Sequence, residues 1–269
     1  MKDRTNGRRE MNEKVRYEVS GSVATVTIAR PKVRNAMDMD VFAALAEAGA
    51  RAGADRSVRA VVVTGDGSNF SSGIDTSVFT SGNNGSPSGI DIGGLQSSFT
   101  VFEKVAKPTI AAIAGPTFGA GLQLAIACDF RVAADDTELS VMEVRWGILP
   151  DLGGTQRLPR LIGLGRAKEL AMTARRVGAD EALQMGLVNK VVAAGTHLQS
   201  ATEWARELAA GPPLALAAIK RLMNSAFDAP VREGLDREAT AQRRILASSD
   251  FIEAVAARVQ KREPHFEAR

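Results

Sequence analysis

Gly115-Pro116-Thr117-Phe118-Gly119-Ala120-Gly121-Leu122-Gln123-Leu124-Ala125 packs three glycines into seven residues and then runs directly into apolar side chains. The pattern reads as a tight loop over 115–121 opening a helix over 122–127. Small residues let a backbone come close to a ligand, and the free N–H groups at a helix start attract negative charge. Pro108 stands just upstream, ahead of an expected strand over 109–113. Further back, Val61-Val62-Val63 has no polar face and reads as a buried strand over 59–64. Strand, glycine turn and helix in succession are the parts of a mostly parallel sheet with crossovers, hence an α/β fold.

The rest of the chain extends this alternation. Residues 15–19 and 23–29 read as two strands joined by Ser20-Gly21-Ser22, and Pro31 ends the second. Asp38 is placed to cap a helix through Val41, Leu45 and Ala48 to about residue 54. Gly65-Asp66-Gly67 is a turn, and 80–94, rich in Gly, Ser and Asn, reads as a mobile loop. A helix is expected over 95–106 and strands over 130–133, 139–141 and 188–192. Helices are expected at 155–161, 165–173, 179–185, 198–210, 213–227, 231–247 and 250–262. The division is a loose tail over 1–13, a core over 14–195 and a helical region over 196–269.

Composition removes several classes of function. The 269 residues are 45% hydrophobic and 24% charged, ordinary for a globular chain. The net charge of +3 comes from interspersed charges and gives no case for nucleic acid. Cys128 is the only cysteine and lies in an apolar run, where it reads as a small buried hydrophobe. The two histidines, His197 and His265, flank no nucleophile motif, and no Gly-x-Ser-x-Gly occurs. HExxH, a cysteine cluster and Gly-Lys-Ser/Thr are missing, so neither a metal site nor a P-loop is expected. Gly65-x-Gly67 follows a strand, but Phe70 stands where a dinucleotide fingerprint needs its third glycine. No apolar run reaches the roughly 18 residues of a membrane span. The polar first ten residues argue against a secretory signal, so the expected compartment is the cytoplasm.

A second glycine turn, Phe70-Ser71-Ser72-Gly73-Ile74-Asp75, follows the buried strand. Two N–H groups from two such turns, converging on one oxygen, make an oxyanion hole. About twenty residues beyond the first turn stands Glu143-Val144-Arg145-Trp146-Gly147-Ile148-Leu149-Pro150-Asp151-Leu152-Gly153-Gly154-Thr155-Gln156-Arg157-Leu158-Pro159. With this segment the chain resembles the crotonase (enoyl-CoA hydratase/isomerase) superfamily. The Phe-x-x-Gly-x-Asp turn, the Gly-x-x-x-Gly-x-Gly loop and Glu-x-x-x-Gly-x-x-Pro-x-x-Gly-Gly-Thr-Gln-Arg-Leu stand in that family's order and spacing. Arg30-Pro31 with Asn35-Ala36-Met37, Ala182 with Gly186-Leu187-Val188-Asn189, and Lys261-Arg262 with Pro264 and Phe266 extend the match to residues 15–266.

The resemblance implies a crotonase-type spiral of ββα units with an α-helical C-terminal oligomerisation region, assembled as a homotrimer or a dimer of trimers. It implies an acyl-CoA substrate, with coenzyme A entering as part of that substrate and no cofactor bound permanently. The matched oxyanion positions are Ile74 and Ala120, and Glu143 matches a catalytic glutamate. Gln123 stands where family hydratases have a second glutamate; an amide orients groups but does not ionise. Asp151, eight residues after Glu143, matches an acid of dienoyl-CoA isomerases and equally well reads as a helix N-cap beside Gly153-Gly154. Coenzyme A is expected along Val33, Arg34 and Ala36, with Ser72, Gly73, Ile74, Asp75, Thr76 and Ser77 near its thioester end. Lys261 or Arg262 would meet its phosphates, and the 80–94 loop would cover the acyl chain. Three activities stay open: double-bond isomerisation using Glu143, water addition with Gln123 holding the water, and acyl-CoA binding without catalysis.

Overall fold

The structure, a computed structural model, describes residues 13–80 and 90–267. The chain runs β1 (Val15–Ser20), β2 (Val23–Ile28), α1 (Met39–Ala54), β3 (Ala60–Gly65), α2 (Ser77–Thr80), α3 (Ile92–Lys104), β4 (Thr109–Ile113), β5 (Pro116–Phe118), α4 (Ala120–Ala125), β6 (Phe130–Ala134) and β7 (Glu138–Ser140). It continues through α5 (Gly154–Ile162), α6 (Leu164–Thr173), β8 (Val177–Gly178), α7 (Ala179–Gln184), β9 (Lys190–Val192), α8 (His197–Ala209), α9 (Pro213–Asn224), α10 (Val231–Leu246) and α11 (Ser249–Gln260).

The main sheet has the order β1-β2-β3-β4-β6-β9. Its first pair is the expected antiparallel hairpin, in register from Val15 opposite Ile28 to Ser20 opposite Val23. Every later pair is parallel. A parallel neighbour needs a crossover, which α1 supplies between β2 and β3 and α3 supplies between β3 and β4. Successive side chains of a strand face opposite ways. Val61 and Val63 therefore join the core under α1 and α3, with Leu45, Phe99 and Phe102. Ala60 and Val62 face the other way, into a core closed by Ala201, Ala205 and Ala209 of α8. A strand buried on both faces has no polar side to show, and the valine run reads that way in the sequence. The division at 195/196 puts α8 with the helical region, yet its alanine face packs on the sheet.

A smaller sheet, β5-β7-β8, lies beside the main one. Its first strand falls inside the glycine-rich stretch read as a loop: Pro116–Phe118 pairs in parallel with Glu138–Ser140. The following helix accordingly begins at Ala120 rather than Leu122. Both ends of the expected 80–94 loop belong to helices, Thr80 to α2 and residues 92–94 to α3. Helix α2 ends at Thr80 and α3 starts at Ile92, with the Asp91 side chain accepting from the Gly94 N–H at 3.0 Å. Residues 81–89 of that loop, and all but Glu13 of the expected tail, lie outside the described residues. The last strand covers only Lys190–Val192 of the expected 188–192.

Buried polar groups fix the turns that carry the site. Arg131, 2% exposed, donates from Nε to Leu187 O at 2.9 Å and from a terminal nitrogen to Cys128 O at 2.7 Å. It thus holds the chain leaving α4. The Cys128 thiol beside it is pushed up to about 12 by burial, which agrees with a packed rather than a reactive cysteine. Asn35, fully buried with φ 55°, donates to Asp66 O at 2.9 Å and Asn69 O at 2.6 Å and accepts from Arg30 N at 2.9 Å. It ties the segment after β2 to the turn after β3. Asn35→Ala is expected to lower unfolding stability by about 2 kcal/mol, because one buried donor and two carbonyls lose partners together. A urea midpoint unchanged from wild type would contradict this.

Among the described residues no helix is long and apolar enough to cross a membrane.

Candidate active site

The turn after β3 is stitched to its neighbours by backbone. Phe70 N donates to Ala114 O at 2.9 Å, and Phe118 N donates to Ser71 O at 3.0 Å. Met37 N donates to Gly73 O and Asp75 N to Met37 O, at 2.9 and 2.8 Å, which brackets Ile74. Gly73 adopts φ 107°, a conformation open to glycine. A Cβ added there would stand 3.0 Å from Phe118 O and 3.6 Å from Ala120 N, so the two glycine turns touch. Ile74 and Ala120 line one cavity, and neither of their N–H groups meets an acceptor among the described residues. That cavity holds about 90 Å³.

Glu143 opens a 3-10 turn, Glu143–Trp146, directly after β7, and lines the same cavity. It is 6% exposed. Its Oε1 accepts from Gln123 Nε2 at 2.7 Å, while Oε2 is buried and meets no partner. Burial pushes the carboxyl above its ordinary range, against hydrogen bonding from its own backbone N–H and from Gln123, and the nearby Asp151 charge adds to the rise. Gln123 projects from α4, and its Oε1 accepts from Gly154 N at 2.9 Å.

Asp151 lines the cavity too. Its reading as a helix cap does not hold: the residue ahead of α5 is Gly153, at φ 95°, and no side chain caps that helix. Asp151 is fixed by its backbone instead, donating to Leu149 O at 2.9 Å and accepting from Gln96 Nε2 at 2.6 Å.

The residues expected near coenzyme A divide. Arg34 follows a 3-10 turn over Pro31–Val33, in the left-handed region, and its carbonyl accepts from Ser72 N at 2.9 Å. Val33, Arg34 and Ala36 therefore lie next to the Ser72–Thr76 stretch, of which Ser72, Gly73, Ile74 and Thr76 line the cavity. Asp75 and Ser77 do not line it. The Asp75 carboxylate accepts from Ser77 N at 3.0 Å and pairs with Arg30 at 2.9 Å, and these hold it below the usual carboxylate range. Both residues shape the turn. Lys261 follows α11 in the left-handed region, exposed and not among the residues that line the cavity, and Arg262 pairs with Glu253.

Five cavity residues were not singled out from the sequence: Phe79, Met142, Trp146, Ile148 and Leu152. They give it an apolar wall, with Trp146 65% exposed at its edge. A clue existed in the run of large apolar residues around Glu143, four of which project into solvent or the cavity instead of the core.

Chemically, the site combines two unengaged N–H groups with one buried carboxylate oxygen. Such a set can hold negative charge on an oxygen while a proton moves. Comparisons with known proteins bear on the family. The family model described as Enoyl-CoA hydratase/isomerase matches residues 18–269. A peroxisomal Delta(3,5)-Delta(2,4)-dienoyl-CoA isomerase of Arabidopsis thaliana is 36% identical, over 94% of this chain and 96% of its own. A carnitinyl-CoA dehydratase of Salmonella heidelberg is 34% identical, over 96% of this chain and 100% of its own. A crystal structure from Thermobifida fusca YX, in complex with CoA, superposes with a TM-score of 0.80 at 37% identity, covering 87% of this chain and 93% of that one. With a family model spanning nearly its whole length and relatives above 30% identity, the chain belongs to the enoyl-CoA hydratase/isomerase family of the crotonase superfamily.

Proposed function

We propose that this enzyme moves a double bond in an enoyl- or dienoyl-CoA thioester, with Glu143 as the acid/base. The observation that carries the reading is the buried carboxylate oxygen Glu143 Oε2, which meets no protein partner and lies beside a residue at 123 that does not ionise. In the forward direction Glu143 removes a proton from Cα, and the electron pair passes into the thioester carbonyl as an enolate. The N–H groups of Ile74 and Ala120 hold the resulting oxyanion. Glu143 then returns the proton at Cγ, and the β,γ double bond becomes α,β. All charge is carried by amides and carboxylates, so the chemistry requires no resident cofactor. For a dienoyl substrate the return point is farther along the acyl chain, and Asp151 is the other ionisable residue lining the cavity.

Coenzyme A runs along Val33, Arg34 and Ala36 to the turn at Ser72–Thr76 in this reading, with Lys261 supplied to its phosphates. The exposed apolar side chains of the last helices, Val231 and Val259 among them, are then covered by neighbouring copies in a homotrimer or a dimer of trimers.

Water addition is the second reading, favoured by the likeness to carnitinyl-CoA dehydratases. Against it, both ends of the Gln123 amide are engaged by protein, leaving little with which to activate water. Binding without catalysis has no use for a buried carboxylate. A panel of α,β-enoyl-, β,γ-enoyl- and 3,5-dienoyl-CoA in D₂O, followed by absorbance and deuterium incorporation, decides. Double-bond migration with exchange at Cα is expected, with water addition slower by about 100-fold for want of a second acid/base. Rapid water addition without migration overturns the proposal.

A further inference from the structure

We infer that Gln123 is a positioning residue that makes Glu143 a one-ended base, tying Oε1 down and leaving Oε2 alone to take and return the substrate proton. The inference rests on the double-bond shift proposed above and adds to it a role for a residue that does not ionise. Its starting point is Gly154 N–H, in the first turn of α5, which can only donate. It meets the Gln123 carbonyl oxygen at 2.9 Å, and this fixes which way round the amide lies. The NH₂ end is thereby delivered to Glu143 Oε1 at 2.7 Å. Gln123 is 3% exposed, so water does not compete for either bond. Gly119 backs the same oxygen: a Cβ added there would stand 3.3 Å from Glu143 Oε1. Oε1 is enclosed, and Oε2 is the end without a partner.

Two consequences follow. A carboxylate held at one oxygen does not swing, so removal and return of the proton use the same atom on the same face of the substrate. A donated N–H also favours the anion over the acid, offsetting part of the burial that pushes the carboxyl the other way. Among the residues that line the cavity, Asp151 is the other group able to titrate against Glu143, and its charge acts in the same direction as burial. Glutamate at position 123 would accept from Gly154 N–H as the amide does. It would also bring a second carboxyl against Glu143 Oε1, and two carboxyls at that distance share one proton and titrate in two coupled steps.

The test uses full-length Gln123→Ala and Gln123→Glu. Glu143 is titrated directly by infrared carboxyl difference spectra against Glu143→Gln, alongside the pH profile of kcat/KM for a β,γ-enoyl-CoA. Gln123→Ala is expected to raise the Glu143 midpoint by about 1 pH unit and to lower kcat by about 10- to 100-fold, with KM within about twofold. Gln123→Glu is expected to replace the single step by two. It keeps the acceptor that Gly154 needs, so it decides the matter if Gln123→Ala fails to fold. A Glu143 midpoint moved by less than about 0.2 unit in the folded variants overturns the inference, whatever happens to kcat, because a merely structural role would leave the titration where it was. The two proposals fail separately. A wild type that moves no double bond while the Glu143 titration responds to residue 123 sinks the isomerase reading alone. Normal isomerisation with an unresponsive titration sinks this inference alone.

Discussion

Glu143→Gln is expected to lower turnover on a β,γ-enoyl-CoA by about 1,000-fold with KM nearly unchanged, the loss that follows from removing the acid/base of a proton transfer. The substitution is nearly isosteric. The new amide oxygen can still accept from Gln123 Nε2, so the wall of the cavity stays in place and only ionisation is lost. The same variant is expected to be more stable than wild type at neutral pH. The folded-state pKa of Glu143 is raised, so the folded protein holds the proton more tightly than the unfolded chain does. Stability therefore falls as pH rises from the ordinary carboxylate value through the raised one, and stays lower above it. Below the ordinary value both states are protonated and Glu143 contributes no penalty. Turnover runs the opposite way, rising with pH through the raised value as the base becomes free. Denaturant midpoints of the two proteins at pH 4 and pH 8, with kcat over the same range, check both halves. Full turnover in Glu143→Gln ends the role given to this carboxylate, and equal midpoints at pH 8 end the claim that its burial is unfavourable.

Parts of this site are visible in the sequence because they are carried by local pattern. The hairpin needs only alternating residues around Ser20-Gly21-Ser22, and the strand through Val61–Val63 needs only a run without a polar face. Ile74, Ala120, Gln123 and Glu143 are picked out by the resemblance of three motifs, in order, to the family's, and all four line one cavity. What the sequence hides is the set of contacts made across the chain. Gln123 meets Gly154 thirty-one residues on, and nothing near either residue announces the bond. Asp75 looks like a site residue in its motif, yet Arg30, forty-five residues earlier, draws its carboxylate into a supporting pair. The helix at Ile92–Lys104 begins with Gly93-Gly94, a poor helix start by propensity, which the Asp91 side chain offsets by capping. Asp151 looks like a cap by the same reasoning, but the left-handed Gly153 takes the position ahead of α5 and leaves Asp151 at the cavity.

Gly121→Val is expected to lower kcat by about 100- to 1,000-fold, the range for loss of one donor from an oxyanion hole. Gly121 lies in the first turn of α4, one residue past Ala120, and touches no cavity atom. Its importance is one of distance between backbones. A Cβ at this position would stand 2.5 Å from Ser71 O and 2.9 Å from Ser71 Cβ, well inside van der Waals contact. Ser71 cannot yield easily. Its carbonyl accepts from Phe118 N, and its hydroxyl donates to Asn35 O at 2.8 Å while accepting from Gly73 N at 3.2 Å. The helix start must move away from the turn instead, which separates Ala120 N from Ile74 N. Stability should fall as well, by about 1–3 kcal/mol, as for other overpacked sites. Gly165→Ala in α6, where an added Cβ meets nothing within 4 Å, is the matched control and should keep wild-type kcat. A folded Gly121→Val with normal kcat would mean that the two N–H groups do not act on one oxygen. Because the substitution leaves Glu143 and Gln123 chemically intact, an unshifted carboxyl titration together with a collapsed kcat would assign the loss to the separation of the two amides.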